Sequence, residues 1–203
     1  MRIVIVKKLL SAIGGSESQA RALAAALRDR GHDVRLVGLR PAWRRPGIPD
    51  GPPGDLTVTA DGLVLRFLAT PGAALDGLLP TALIGWRRLA RELASAEVVH
   101  SIAREWAGPA ERAARSLGAA FVETPLVHPG QPFSGAGRTD VARYARADAI
   151  LALTEKEEGW YRAHRAHNAH VTGEGAILAS QRVPNPSCRY CRQARDRLIH
   201  SIH

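Results

Sequence analysis

Arg2-Ile3-Val4-Ile5-Val6, then Gly14-Gly15-Ser16-Glu17, then Gly31-His32-Asp33-Val34-Arg35-Leu36-Val37 are the stretches that decide the fold. The first is a short, nearly continuous apolar run, the pattern of a strand buried on both sides in a parallel sheet. Gly14-Gly15 then breaks the chain. Ser16 and Gln19 have capping-box spacing, and Ala20, Leu23, Ala24 and Leu27 recur at i, i+3, i+4 and i+7, which predicts a helix with one apolar face. Gly31 supplies its stop, and Asp33 to Val37 reads as a second strand. Strand, helix and strand form a βαβ unit whose crossover must be right-handed.

The same alternation extends downstream. Residues 40–55 hold five prolines and three glycines and read as a loop. Leu56 to Thr59 and Leu63 to Leu68, joined by Ala60-Asp61-Gly62, predict a hairpin. Leu79, Leu83, Trp86, Leu89, Ala90 and Leu93 line the apolar face of the next helix, which leads to the strand Val98-Val99-His100-Ser101-Ile102. A helix near 109–117 rests on Ala110, Ala113, Ala114 and Leu117 and stops at Gly118. A strand follows over Ala119 to Glu123, then a loop with Pro125, His128, Pro129, Gly130 and Pro132. A short helix near 139–146 feeds the strand 149–153. Thr154 and Glu157 form a second capping box for a helix carrying Trp160 and Tyr161, and 169–172 is the last strand. The pattern predicts an α/β domain with a mainly parallel sheet and helices on both faces.

With 203 residues, 45% of them apolar, the expectation is one domain plus an appendage. The domain is placed at 1–179. Residues 180–203 contain five Arg, two Pro, both Cys and two His, and are expected to be a basic, poorly ordered tail.

The net charge is +9, from 25 Arg and three Lys set against 19 acids. Arg is scattered in singles and pairs, which reads first as a solvated surface, and second as affinity for an anionic membrane surface or a phosphorylated substrate. No reading helix or aromatic platform is apparent, so no specific nucleic acid is expected. No run of 18 apolar residues occurs, and Met1 to Val6 leads straight into Lys7-Lys8 without a signal-peptide h-region, so a soluble, cytoplasmic protein is expected. Cys188 and Cys191 exclude a disulfide framework for the body. With His200 and His203 they supply four zinc-capable ligands, but known fingers use about 12 intervening residues and about three to five between the histidines. No metal and no cofactor are expected.

Ligands of open parallel sheets bind beyond the carboxyl ends of the strands. The residues there are Gly14-Gly15-Ser16-Glu17, then His100 with Arg104-Glu105, then Glu123, Thr124 and His128, then Thr154 and Glu155. A glycine pair lets backbone approach a ligand, and the helix it opens offers unpaired N–H groups to a phosphate. A tight turn with no ligand gives the same pattern. The spacing is not G-x-G-x-x-G, and strand two ends in Val37-Gly38-Leu39-Arg40 without an acid for a ribose, which argues against a dinucleotide site. A P-loop is excluded for the same reason.

The order of these segments resembles the N-terminal domain of family 4 glycosyltransferases, retaining enzymes of the GT-B fold. The likeness is carried by Gly14-Gly15-Ser16-Glu17, Gly31-His32-Asp33-Val34, Glu97-Val98-Val99-His100-Ser101 and Phe121-Val122-Glu123-Thr124-Pro125 with His128-Pro129-Gly130. It continues through Arg146-Ala147-Asp148-Ala149-Ile150-Leu151-Ala152-Leu153-Thr154-Glu155 and Val171-Thr172-Gly173-Glu174-Gly175. The resemblance implies a Rossmann-like half of a GT-B architecture that transfers a sugar from a nucleotide-diphosphate donor to an acceptor hydroxyl. It implies Gly14, Gly15 and Ser16 at the donor's phosphate or sugar, and His128 as the catalytic-site histidine beside the transferred sugar. Glu17, His100, Glu105 and Glu123 are assigned to the acceptor or pocket.

The resemblance implies a second, donor-binding domain in the family, and no counterpart of it is expected within these 203 residues. The pattern fails near Ala179, at the hinge into that domain. The expectation is therefore an acceptor-side half, inactive alone, with an open sheet edge and a complementary C-terminal domain as partner. The alternatives are a non-catalytic binding module working with a separate chain, and a nucleic-acid-associated protein acting through its basic tail.

Overall fold

The apolar run at the start of the chain becomes β1 (Arg2–Lys7), and residues 3–7 are all buried because strands and helices cover it on every side. The computed structural model describes residues 1–10, 14–40, 54–69, 86–127 and 135–172. After β1 come α1 (Gly15–Arg28), β2 (Asp33–Arg40), β3 (Leu56–Ala60), β4 (Leu63–Ala69), α2 (Trp86–Glu92) and β5 (Val98–Ile102). A 3-10 turn, Arg104–Trp106, then leads into α3 (Ala107–Leu117) and β6 (Ala120–Thr124). α4 (Arg138–Arg146), β7 (Ala149–Ala152), α5 (Glu155–Ala163) and β8 (Ala169–Val171) complete the order.

The strands form one eight-stranded sheet, β3-β4-β2-β1-β5-β6-β7-β8. Every pairing is parallel except β3 with β4. That exception is the predicted hairpin: Ala60 faces Leu63 across Asp61-Gly62, both at positive φ (52° and 71°), as a two-residue type I′ turn requires.

Alternate residues of the strands feed two cores. Ile3, Ile5, Leu36 and Leu65 pack with Ala20, Ala24 and Leu27 of α1 on one face. Val4, Val6, Val99 and Phe121 pack with Leu89, Ala110, Ala114, Tyr144 and Tyr161 on the other. Alanines on α1 and α3 let each helix approach the sheet closely, so the core is built from strand side chains rather than helix ones. The two-sided α/β architecture read from the sequence is the observed one.

Several local expectations need correction. Ser16 is not the cap of α1: Gly14 is, at φ 122° with no side-chain cap, and the Ser16 hydroxyl donates to Glu17 Oε2 at 3.0 Å instead. Leu117, expected in the core, is exposed at the last position of α3, while Gly118 ends the helix at φ 68° as read. α3 starts earlier than predicted because Pro109 falls in the first turn, where its missing N–H costs nothing. Thr154 does cap α5, accepting from the Glu157 N–H at 3.2 Å. Glu157 reaches back one residue further than a capping box requires, accepting from Leu153 N–H at 2.7 Å. Leu79 and Leu83, the end of the glycine-rich segment at 173–175, and the 180–203 tail with Cys188 and Cys191 lie outside the described residues.

Candidate functional site

Strand order locates the site. From β1 the chain moves to β2, crosses to the edge strand β3 and turns back to place β4 between them, then returns to place β5 on the other side of β1 and continues through β6, β7 and β8. The direction reverses between β1 and β5, and the crevice beyond their carboxyl ends is where open α/β sheets bind ligands. Lys7 and Ile102 are paired at that end. The chain leaving β1 arrives at Gly14 and α1, and the chain leaving β5 runs through Ala103, Arg104 and Glu105.

On the β1 side, Gly14 and Gly15 are exposed and the first turn of α1 opens beside them. A Cβ on Gly14 would fall 2.2 Å from Glu17 Oε2, so the carboxylate of Glu17 lies folded over this glycine, with only 7% of the residue exposed. A carboxylate at a helix N-terminus is held by the same partial positive charge that would attract a phosphate. Before Gly14, the segment leaving β1 passes over β2. Lys8 O accepts from Leu39 N–H at 2.9 Å, and Leu10 sits where a Cβ on Gly38 would stand, 2.7 Å from its Cγ.

On the β5 side the backbone is strained. Ala103 has φ 67° and ψ 152°, and Leu126, beyond β6, has φ 56°. Residues without glycine's freedom adopt such angles only when their surroundings force them, at about 1–3 kcal/mol each. Ala103 is held by its N–H, which donates to Thr124 O at 2.8 Å. His100, fully buried, shares a 2.8 Å hydrogen bond between its Nε2 and Thr124 Oγ1, and its Nδ1 has no hydrogen-bond partner among the described residues. Burial lowers the imidazole pKa to about 4, so the ring is neutral at neutral pH.

A line of charge supports the β6 end. Glu123 is wholly buried and takes both Nε and one terminal nitrogen of Arg143 at 2.9 Å each. Arg143 also meets Asp140 at 2.8 Å, and Asp140 in turn lies 3.6 Å from Arg104. Burial pushes the Glu123 carboxyl up to about 7, with the Arg143 hydrogen bonds pulling against it. Tyr144 donates to Gly135 O at 3.0 Å, and Gly135, at φ 94°, is hemmed in by Tyr144, Val127 and Arg104. Val127 and Gly135, which flank residues 128–134, are therefore both anchored at this edge.

Of the residues singled out in the sequence, Gly14, Gly15, Ser16 and Glu17 sit together at the mouth of α1, and Glu105 is exposed beyond β5. His100 and Glu123 are on opposite faces of the sheet, belonging to adjacent registers of β5 and β6, and neither is exposed. Glu123 faces Arg143 rather than an opening. His128 lies outside the described residues. Sequence reasoning missed Lys7, buried at the crest of β1, whose one signal was its place as the last strand residue. It singled out Arg104 but missed Asp140 and the pairing of the two, which spans 36 residues and leaves no local pattern. Among the described residues no group of three or more His, Cys, Asp or Glu could hold a metal.

A sequence model of the family described as "Glycosyl transferase 4-like domain" matches residues 14–173, most of the chain. The chain belongs to this family. Solved structures similar to this glycosyl transferase 4-like domain include Anabaena HepE in complex with UDP and glucose, at 14% identity and a TM-score of 0.59 over 85% of this chain and 44% of that one. The lipopolysaccharide outer core galactosyltransferase WaaB matches at 13% identity and a TM-score of 0.57, over 85% of this chain and 45% of that one. Sucrose-phosphate synthase from Thermosynechococcus elongatus matches at 12% identity and 0.55, over 85% and 48%. At these identities the likeness establishes the fold, and the domain spans less than half the length of these three proteins. No curated protein matches its sequence. Among the described residues no helix is long and apolar enough to cross a membrane.

Proposed function

We propose that the domain is the acceptor-side half of a retaining glycosyltransferase that moves a sugar from a nucleotide-diphosphate donor to an acceptor hydroxyl. The observation that carries this is the family match over 14–173, whose first residue is the glycine that opens α1 at the switch point of the sheet. In this reading Gly14, Gly15 and Ser16 approach the donor's phosphate or sugar, and Glu17 swings off the helix mouth as the anion arrives. His128 stands beside the transferred sugar, on a segment whose flanks at Val127 and Gly135 are fixed. Glu105 lines the open acceptor side. His100 and Glu123 act from beneath: the first fixes Thr124 and the second, through Arg143 and Asp140, fixes Arg104. HepE bound to UDP-glucose supports a nucleotide-sugar donor of this kind.

Stabilising the departing diphosphate needs a set of cationic and hydrogen-bonding groups, and loss of a single such donor costs about 2.7–4 kcal/mol in comparable sites. The family supplies that set from a second domain. The 203-residue polypeptide by itself is therefore proposed to turn over no donor. The test is to assay it with labelled nucleotide sugars and a panel of acceptors, alone and with a donor-binding half of the GT-B kind supplied in trans or fused after residue 179. Transfer that appears only with the second half supports the reading. Robust transfer by the polypeptide alone overturns it. Tight acceptor binding with no transfer in either format favours the binding-module alternative.

A further inference from the structure

We infer that Arg104 is a specificity-determining residue that holds an acidic group, a phosphate monoester or a carboxylate, on the acceptor; the inference rests on the transferase reading given above. Arg104 follows β5 directly, at the carboxyl edge of the sheet and beside the reversal of strand order. Its side chain is 40% exposed, and among the described residues it makes no hydrogen bond. Its nearest acid, Asp140, stands 3.6 Å from one terminal nitrogen and is already engaged by Arg143 at 2.8 Å. A guanidinium presents its N–H donors in a rigid fork, and a carboxylate or phosphate fills that fork with paired, parallel hydrogen bonds. At Arg104 the fork is unspent.

The fold also holds this cation in place. Ala103, the residue before it, is kept at φ 67° and ψ 152° while its N–H donates to Thr124 O at 2.8 Å. Strained backbone of this kind persists where the surroundings over-determine it, and it clusters at ligand sites. Further out, the Arg104 stem packs against Gly135: a Cβ on that glycine would fall 3.0 Å from Arg104 Cδ. Asp140, fixed in turn through Arg143 and Glu123, sets the direction of the guanidinium. An arginine ordered before its ligand arrives loses less rotamer freedom on binding than a free surface arginine does.

The surrounding charge suits one small anion and disfavours a polyanion. Glu105, next in the chain, is exposed, and Arg104 and Arg143 stand with Glu105, Asp140 and Glu123, so the turn carries no excess of positive charge. A nucleic-acid backbone or an anionic bilayer is attracted by clustered cations and would meet Glu105 here. A single acidic group on a small molecule needs only the fork. Position separates acceptor from donor as well. The glycine opening of α1 lies on the β1 side of the crevice, whereas Arg104 lies on the β5 side with Glu105.

The experiment has two arms. In the first, the 15N-labelled 203-residue chain is titrated with sodium phosphate and, separately, with sodium acetate, each at constant ionic strength, and followed by NMR. Saturable shifts are expected at residues 103–105 and at the Arg104 Nε–H, and the stronger of the two anions identifies the acidic group as phosphate or carboxylate. Arg104→Gln should remove these shifts, and Arg30→Gln, an exposed arginine beyond the far end of α1, should leave them unchanged. No saturable shift at 103–105 with either anion, or equal loss in the two variants, overturns the inference. In the second arm, the chain fused after residue 179 to a donor-binding half is assayed with matched acceptors that bear or lack a phosphate or carboxylate. Acid-bearing acceptors should be preferred, and Arg104→Gln should raise their KM about ten- to a hundred-fold while leaving kcat and the KM for the donor near their original values. Preference for neutral acceptors, or a fall in kcat alone, overturns the inference and leaves the transferase reading standing. Absence of transfer to every acceptor counts against that reading instead, and the titration then decides the role of Arg104 by itself.

Discussion

Glu123 and Arg143 meet through two 2.9 Å hydrogen bonds with 0% and 7% of their side chains exposed, so the charge pair that braces β6 against α4 is almost wholly out of water. Removing Glu123 leaves the Arg143 guanidinium charged and buried, which typically costs about 3–5 kcal/mol, whereas removing Arg143 lets the Glu123 carboxyl, already pushed up to about 7 by burial, take a proton. Glu123→Gln should lower stability on that scale, and Arg143→Met should lower it by less. The double variant should recover much of the loss, because neither charge is then stranded. Urea unfolding of the three variants tests this; additive losses would contradict the pairing.

His100 makes stability pH-dependent. Its folded pKa is about 4 and its ordinary value 6.5, and a depressed pKa means the unfolded chain binds the proton first. The stabilisation is complete above pH 6.5 and is lost as pH falls through 4, by roughly 3 kcal/mol in all. His100→Asn should be less stable at pH 7.5 but should show a shallower decline between 6.5 and 4. Parallel decline of the two proteins through that window would show that His100 is not the group responsible.

Ala103 predicts a reversal of the usual rule. Glycine normally destabilises relative to alanine through the entropy of the unfolded chain, by about 0.5–1 kcal/mol. At φ 67° and ψ 152° the alanine carries strain that glycine does not. Ala103→Gly should therefore raise the thermal midpoint or leave it unchanged. A drop of several degrees would mean the methyl packs well enough to outweigh its backbone cost.

Gly38 is closed to any side chain by contacts rather than by its backbone angles. A Cβ there would meet Leu10 at 2.7 and 2.8 Å and the carbonyl of Lys7 at 3.0 Å. Gly38→Ala should cost about 1–3 kcal/mol and disturb the segment that leads from β1 to Gly14. Leu10→Ala in the same chain should relieve part of that cost, giving a double variant more stable than the sum of its singles predicts.

The sequence was most legible where a residue's neighbours along the chain determine its structure. The apolar runs at 2–6, 98–102 and 149–153 became strands, and Asp61-Gly62 made its turn because both residues tolerate positive φ. Parts of the site depended on distant residues and were not legible. The pairing of Glu123 with Arg143, and of Glu111 with Arg146, joins positions 20 and 35 residues apart. Ala103 carries no mark of its angle, since alanine is ordinary anywhere. Ser16 looked like a cap by composition, but Gly14, with its carboxylate neighbour folded over it, took that place.

The central position of β1 has a consequence for synthesis on the ribosome. Its partner on one side, β2, follows within a few tens of residues, but the contact of Arg2 with Glu97 beside β5 spans 95 residues. At about 5–20 residues per second, β1 waits several seconds with one row of backbone groups uncovered. The strand that ends up most deeply enclosed is thus, while the chain is being made, its most exposed edge, and a holding chaperone would find its longest opportunity there.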